Sequence, residues 1–172
     1  MATVPVPRTW VANEDVTATI LNGTTGVKGA LDFLLSPPRC YAYQTAVTNM
    51  PTSGTAALML FDTELYDTDT MHSTSSNTGR ITSAATGLYR VSGVIGFAAN
   101  ATGYRQVNVR KNAAGSAVGG TSVAVVRLAA TSTAAAEIPF SVDVQLTSGD
   151  YVEVFALQNS GGALDSVAGQ PN

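Results

Sequence analysis

Charge is scarce in this sequence: only 12% of its 172 residues are Asp, Glu, Lys or Arg, about half the usual share. The net charge is −3 and the basic residues are scattered, so the Lys/Arg footprint of a nucleic-acid binder is missing. A single cysteine, Cys40, excludes an intrachain disulfide, a zinc cluster and a CxxC redox site. Cys40 reads as a small buried hydrophobe, because the sole histidine, His72, sits in a Thr/Ser run with no reason to lie beside it. One histidine also ties any Ser/His/Asp triad to His72, and no GxSxG elbow positions a serine. No apolar run approaches the roughly 18 residues of a membrane span. The N-terminus, MATVPVPRTW, lacks the basic and apolar regions of a signal peptide. The expectation is a chain made in the cytoplasm, without membrane insertion, that reaches the outside by lysis or as part of a particle.

Thr, Ser, Ala and Gly are abundant instead. A neutral, hydroxyl-rich surface suits a chain packed against other protein, or one that resists proteolysis outside a cell. The central stretch is Ile81 to Asn112. Within it Tyr89, Val91, Gly93, Ile95 and Phe97 fall on one side of a strand, and Leu88, Arg90, Ser92, Val94 and Gly96 on the other. With the Gly/Asn-rich reversal and the strand that follow, the stretch reads as a buried antiparallel hairpin, one face in a core and the other partly covered by another sheet or subunit.

The N-terminal region differs in character. Pro5 and Pro7 fix a short extended arm ending at Trp10, which either plugs into a neighbour or folds back on its own helices. Asn13 reads as an N-cap with Glu14 and Asp15 in the first helical turn, Val16, Thr19 and Ile20 as one stripe, and Asn22-Gly23 as the stop. A second helix is expected from Thr25 to Leu35, with Val27, Ala30, Leu31, Leu34 and Leu35 on one face, ended by Pro37-Pro38. Helices this short need their apolar faces buried, on the following domain or on a larger assembly.

After residue 38 the pattern is β. Tyr41, Tyr43, Thr45 and Val47 alternate, and Leu58 to Phe61 is a short apolar run. Val123 to Leu128 follows Gly119-Gly120. Ile138, Phe140, Val142, Val144 and Leu146 alternate strictly with Pro139, Ser141, Asp143, Gln145 and Thr147, and Tyr151 to Leu157 closes the series after Ser148-Gly149-Asp150. Many short strands separated by turn signals predict a β-sandwich or jelly roll.

The most polar stretch, Phe61 to Ser76, holds Asp62, Glu64, Asp67 and Asp69. Alternating carboxylates could hold calcium, but the EF-hand glycine and terminal glutamate are absent, and a solvated loop accounts for them. As a glycosidase pair they are weaker still, since no cleft can be inferred. No metal, cofactor or catalytic residue is assigned. The loops from Asp62 to Asn77 and from Gly115 to Thr121 are the candidate contact surfaces, with Asp67, Asp69, His72 and Asn77 as candidate ligand contacts.

Three motifs carry a resemblance: Thr86-Gly87-Leu88-Tyr89 before an alternating strand, Val109-Arg110-Lys111-Asn112, and Leu146-Thr147-Ser148-Gly149-Asp150-Tyr151-Val152-Glu153-Val154. In order and separation they resemble the jelly roll shared by tumour necrosis factor and the globular head of the complement q-subunit, over roughly residues 40 to 169. Ala113 departs from that pattern where a turn glycine is usual. So does the end of the chain, where no final apolar strand follows Gly161-Gly162-Ala163-Leu164, which implies an open sheet edge unless a partner fills it, the sequence is a shortened version, or the strands near residues 40 to 60 are placed differently. The segment from Pro7-Arg8-Thr9-Trp10 to Leu34-Leu35-Ser36-Pro37-Pro38 resembles N-terminal segments of structural proteins of bacteriophages infecting actinobacteria.

The resemblance implies a mainly β protein: an antiparallel jelly-roll sandwich preceded by an extended arm and two small helices. Residues 1–38 would be a virion anchor, through Pro5, Pro7, Arg8, Trp10, Val16, Ile20, Leu31 and Leu34, and residues 39–172 the jelly roll. It implies a non-enzymatic homotrimer on the virion surface, with other virion proteins as partners and a host-surface glycan or protein as target. A tail tip or tail fibre is the first choice and capsid decoration (a head fibre or minor capsid protein) the second. A glycan-cleaving enzyme is the third.

Overall fold

Strict alternation from Ala136 to Leu146 becomes strand β9, with Ile138, Phe140, Val144 and Leu146 buried and the residues between them facing out. It pairs antiparallel along the whole of β6 (Gly87–Phe97), from Gly87 opposite Leu146 to Phe97 opposite Ala136. β9 is an edge strand, which accommodates Pro139, whose missing donor faces away from β6. The computed structural model of the protein describes residues 6, 8–9, 11–12, 14–23, 26–51, 54–130 and 134–169. Among them no helix is long and apolar enough to cross a membrane.

The architecture is an antiparallel jelly roll. One sheet runs β2 (Asn49–Met50), β11 (Leu164–Val167), β6 and β9. The facing sheet runs β10 (Tyr151–Gln158), β7 (Tyr104–Lys111) and β8 (Thr121–Ala129), with β3 (Ala57–Leu58) and β5 (Arg80–Thr82) both on the outer side of β10. Between them lie Met50, Phe97, Val107, Val109, Ile138 and Ala156, all fully buried. β1 (Cys40–Tyr43) and β4 (Thr63–Asp67) form a separate ribbon, with a bulge between Tyr41 and Ala42.

The central stretch is not a hairpin. β6 and β7 lie in different sheets, and the segment between them is a corner. Alternation tells which face a residue takes but not which strand lies beside it. The corner is held by Arg105, 1% exposed, whose guanidinium donates to the carbonyls of Asn100 at 2.7 Å and of Thr102 and Tyr104 at 3.0 Å. Burial lowers its pKa from the usual arginine value.

The last strand is present, contrary to expectation. β11 turns Leu164 and Ser166 inward and pairs Ser166 with Phe97 and Val167 with Gly96. A serine at the second inward position hides the pattern. Its hydroxyl accepts from the Thr48 N–H at 2.8 Å and donates to Gln44 at 3.2 Å, so it is buried without loss. β11 is short, however, and among the described residues nothing pairs with β6 on that side from Ile95 back to Leu88.

The alternation from Tyr41 to Val47 is also cut short. β1 ends at Tyr43, and Val47 is exposed in the following loop. Asp62 organises that loop, accepting from the N–H groups of Thr45 and Ala46 at 2.8 Å. These bonds, the Thr45 N–H first, outweigh burial and hold the Asp62 pKa at about 2. A depressed folded-state pKa contributes stability above the ordinary value, 3.8, and loses it as pH falls toward about 2. The wild type should exceed Asp62→Asn in urea midpoint above pH 3.8 and converge on it near pH 2; parallel curves across that window would refute this role.

The helices start later than expected. α1 spans Ala18–Asn22, capped by Thr17, whose hydroxyl accepts from the Ile20 N–H at 3.3 Å. Asn13 lies outside the described residues. Glu14 pairs with Arg8 instead of opening a helix. α2 spans Val27–Leu35 and ends before Pro37, as read from sequence, with Lys28 and Asp32 paired one turn apart. Neither helix has a buried residue.

Candidate functional site

The polar loop that follows β4 is fastened inward at Asp67 and His72, while Thr68, Thr70 and the stretch from Thr74 to Asn77 are exposed. Asp67, at the end of β4, accepts from the N–H groups of Asp69 at 3.1 Å and His72 at 2.9 Å. Burial pushes its pKa up, but the N–H groups of Met71, His72 and Asp69 and the charge of His72 prevail and hold it below the usual carboxylate value. His72 is 5% exposed. Its Nδ1 lies 2.7 Å from Glu64 and its Nε2 2.9 Å from the Thr78 carbonyl. A carbonyl only accepts, so Nε2 carries a hydrogen and donates to Thr78, while Nδ1 makes the contact with Glu64. His72 therefore fastens the loop from within. Of the other candidate contacts, Asp67 and Asp69 are half-buried and Asn77 is exposed in a left-handed conformation at φ 51°.

These residues do not converge on a reaction centre. Among the described residues no group of three His, Cys, Asp or Glu side chains could hold a metal ion. The Cys40 thiol is half-buried, and burial, then Asp67 and Glu64, push it up to about 12, so it stays protonated. The carboxylates of Asp62, Glu64 and Asp67 are occupied as internal acceptors.

What the ribbon does present is aromatic. Tyr41 and Tyr66 are exposed, with ring centroids 6.0 Å apart. Tyr43 lies 6.5 Å from Tyr41, and the Arg39 guanidinium sits 5.9 Å from the Tyr66 ring centre. The alternation of Tyr41, Tyr43, Thr45 and Val47 in sequence puts Tyr41 and Tyr43 on one side of a strand and says nothing of a third ring. Only the cross-strand partner on β4, Tyr66 opposite Tyr41, reveals the cluster.

Between the ribbon and the unpaired length of β6 runs a groove of about 560 Å³. Cys40 to Gln44 line one wall, Val91 to Gly96 the other, and Val167 to Gly169 one end. Its floor is apolar: Phe61, Ile81, Phe140, Val152 and Val154.

The second candidate loop is fastened to the sheet below it. Glu153, 2% exposed on β10, accepts from the Gly115 N–H at 3.1 and 3.2 Å and from Arg80 at 3.3 Å. Asn112 joins two of the sequence motifs: its side chain donates to Asp150 at 2.7 Å and accepts from the Tyr151 N–H at 2.9 Å. The left-handed conformations fall on Asn112, Ala114 and Gly115, and not on Ala113, which is buried. The alanine in place of the usual glycine is thereby accommodated. Lys111 and Asn112 hold the Asp150 carboxyl well below the usual carboxylate range.

Of the proposed anchor, Pro5, Pro7 and Trp10 lie outside the described residues. Arg8 is half-buried and bound to Glu14, and Val16, Leu31 and Leu34 are exposed. Ile20 is half-buried.

No protein-family model matches this sequence, and no curated protein does. Solved structures do. Murine APRIL, in a crystal structure at pH 8.0, superposes with a TM-score of 0.54 at 11% identity, covering 76% of this chain and 98% of that one. The Eiger TNF of S. frugiperda gives 0.47 at 12% identity over 78% of this chain and 92% of that one. The globular domain of zebrafish complement 1qA gives 0.39 at 15% identity over 78% and 95%. At such identities the likeness concerns fold alone, and the APRIL superposition carries it: this chain folds as an antiparallel jelly roll of the tumour necrosis factor type.

Proposed function

We propose that this protein is a non-enzymatic structural protein of a bacteriophage particle. Residues 1–38 hold it to the virion, and residues 39–172 project as a trimeric jelly roll from the tail tip or a tail fibre toward a host-surface glycan or protein. The observation that carries this reading is the uncovered apolar stripe of α2. Val27, Leu31, Leu34 and Leu35 are 52, 50, 73 and 79% exposed on a helix of nine residues. A helix this short with its aliphatic face in water is not stable alone, so the stripe belongs against another protein.

Trimer formation follows from the family that the three sequence motifs resemble. Display in threes lets weak contacts act together. The exposed Tyr41 and Tyr66 rings, with Arg39 beside Tyr66, offer flat apolar faces edged with a polar group. Absence of catalysis is supported by the way Glu64, Asp67 and His72 are consumed in holding their own loop.

Removing residues 1–38 should leave a folded trimer that no longer joins particles. Incorporation of the shortened protein would refute the anchor. Antibody-gold labelling of intact virions against residues 40–172 should mark the tail end. Gold spread over the head would make this a capsid decoration protein, and the absence of label from any particle would remove the virion reading.

A further inference from the structure

The groove beside β6 is a vacant strand position. Backbone N–H and C=O groups alternate in direction along a strand, and the Ala98 N–H donates to Asp165 of β11 at 2.9 Å. Residues of even number on β6 therefore direct their backbone toward β11, while the odd ones bond to β9. Below Gly96 the strand β11 has gone, so the polar backbone of Val94 and Ser92 faces the groove, and that of Arg90 and Leu88 continues the same edge, with no strand against any of them among the described residues. The floor beneath is apolar. An edge of this kind takes up an extended segment.

We propose that the N-terminal arm of a second copy, residues 2–9 (ATVPVPRT), adds there as a strand antiparallel to β6. The arm has prolines at alternate positions, Pro5 and Pro7. Every donor it lacks is therefore on one side, and Val4, Val6 and Arg8 keep their N–H groups on the other. Such a segment can pair on one side only, which is how proline is tolerated in sheets. With Val4, Val6 and Arg8 bonded to β6, Pro5 and Pro7 turn their rings onto the apolar floor, and Val4 and Val6 extend the outward stripe of Leu88, Val94 and Val167, which is 70, 56 and 41% exposed.

Two other occupants fit less well. The chain's own continuation is turned away, because the Gly169 N–H donates to the Gln44 carbonyl at 3.0 Å instead of to β6. In line with β11, Pro171 would come opposite Ser92 without an N–H to give. The described part of the chain's own arm is not in the groove: Val6 is 70% exposed and Arg8 is bound to Glu14.

The inference rests on the self-association in the reading above, and one set of samples separates the two. Amide hydrogen exchange of the full chain is followed at residues 88, 90, 92 and 94, with light scattering on the same samples. In the associated protein these amides should be protected, and dilution to monomer should release them. Val6→Pro, which deletes a donor on the pairing side, should speed their exchange by on the order of tenfold or more. Pro7→Ala, which restores a donor on the far side, should leave it unchanged. Rapid exchange in the associated wild type, or protection indifferent to Val6→Pro, overturns the arm while leaving association intact. Protection that survives dilution overturns the second copy in favour of the chain's own arm. A monomer at every concentration removes both the trimer and this inference.

Discussion

Replacing Phe97 by alanine should lower the unfolding free energy by about 3–5 kcal/mol, read from urea denaturation. Phe97 is fully buried at the upper end of β6, opposite Ser166 of β11 on one side and Ala136 of β9 on the other. Its ring belongs to the cluster of Met50, Met59, Ile95, Val107 and Ile138. Truncation opens a cavity where three strands of one sheet meet the facing sheet, and strands paired on both sides have little freedom to close it. Against a total of roughly 5–15 kcal/mol for a domain, a loss of this size leaves little or no margin. Val94→Ala, in the same strand but on the opposite face and 56% exposed, should change stability by no more than about 0.5 kcal/mol. Equal effects at the two positions would refute the assignment of faces along β6.

Glu153→Ala should cost about 2–3 kcal/mol, the second largest of the effects expected here. Glu153 stands on β10 between Arg80 of β5 and Arg110 of β7, and its carboxylate is almost wholly buried. It accepts from the Gly115 N–H and from Arg80, and the Arg80 guanidinium lies 3.7 Å from the Tyr151 ring centre. Removal strands the Gly115 donor and deprives Arg80 of its counter-charge. The effect stays below that of a fully buried pair because the Arg80 side chain keeps 26% exposure and can turn to water. Glu153→Gln retains an acceptor for Gly115 without the charge and should fall between the two. If Gln proves as damaging as Ala, the charge is the important part; if Gln matches wild type, the loop contact is. The Gly115 amide should exchange faster in the alanine variant, and an unchanged rate there would refute the fastening role.

Local features of the fold were legible from residue order. The alternation of Ile138 to Leu146 and of Tyr89 to Phe97 marked inward faces correctly, because a strand has a period of two and the core accepts one face. The stop of α2 before Pro37 followed from the geometry of proline. The end of α1 at Asn22 was likewise read, while its start was not. The Thr17 hydroxyl took the cap, and Glu14 was claimed by Arg8 from outside the helix.

The polar loop shows where such reading stops. Asp62, Glu64, Asp67 and His72 look like a solvated run, since nothing in their spacing announces that Asp62 will accept from Thr45 and Ala46 in the loop after β1, or that Asp67 and Glu64 will meet His72. The aromatic face of the ribbon was invisible for the same reason: Tyr41 and Tyr66 are 25 residues apart in numbering and meet only when β1 pairs with β4.

By itself, then, the sequence determined the class of fold, the two-period faces of its strands, the turns built on glycine and asparagine, and the boundary where helix gives way to sheet near Pro37-Pro38. These are consequences of short-range sterics and of alternation, which act between neighbours in the chain. The tertiary structure alone decided that β6 and β7 part into different sheets, that β11 exists with a serine turned inward, and that among the described residues part of β6 has no strand against it beside an apolar groove. Those outcomes depend on which strands come to lie side by side, and the energy that selects them comes from burial and hydrogen bonds between residues far apart in the chain.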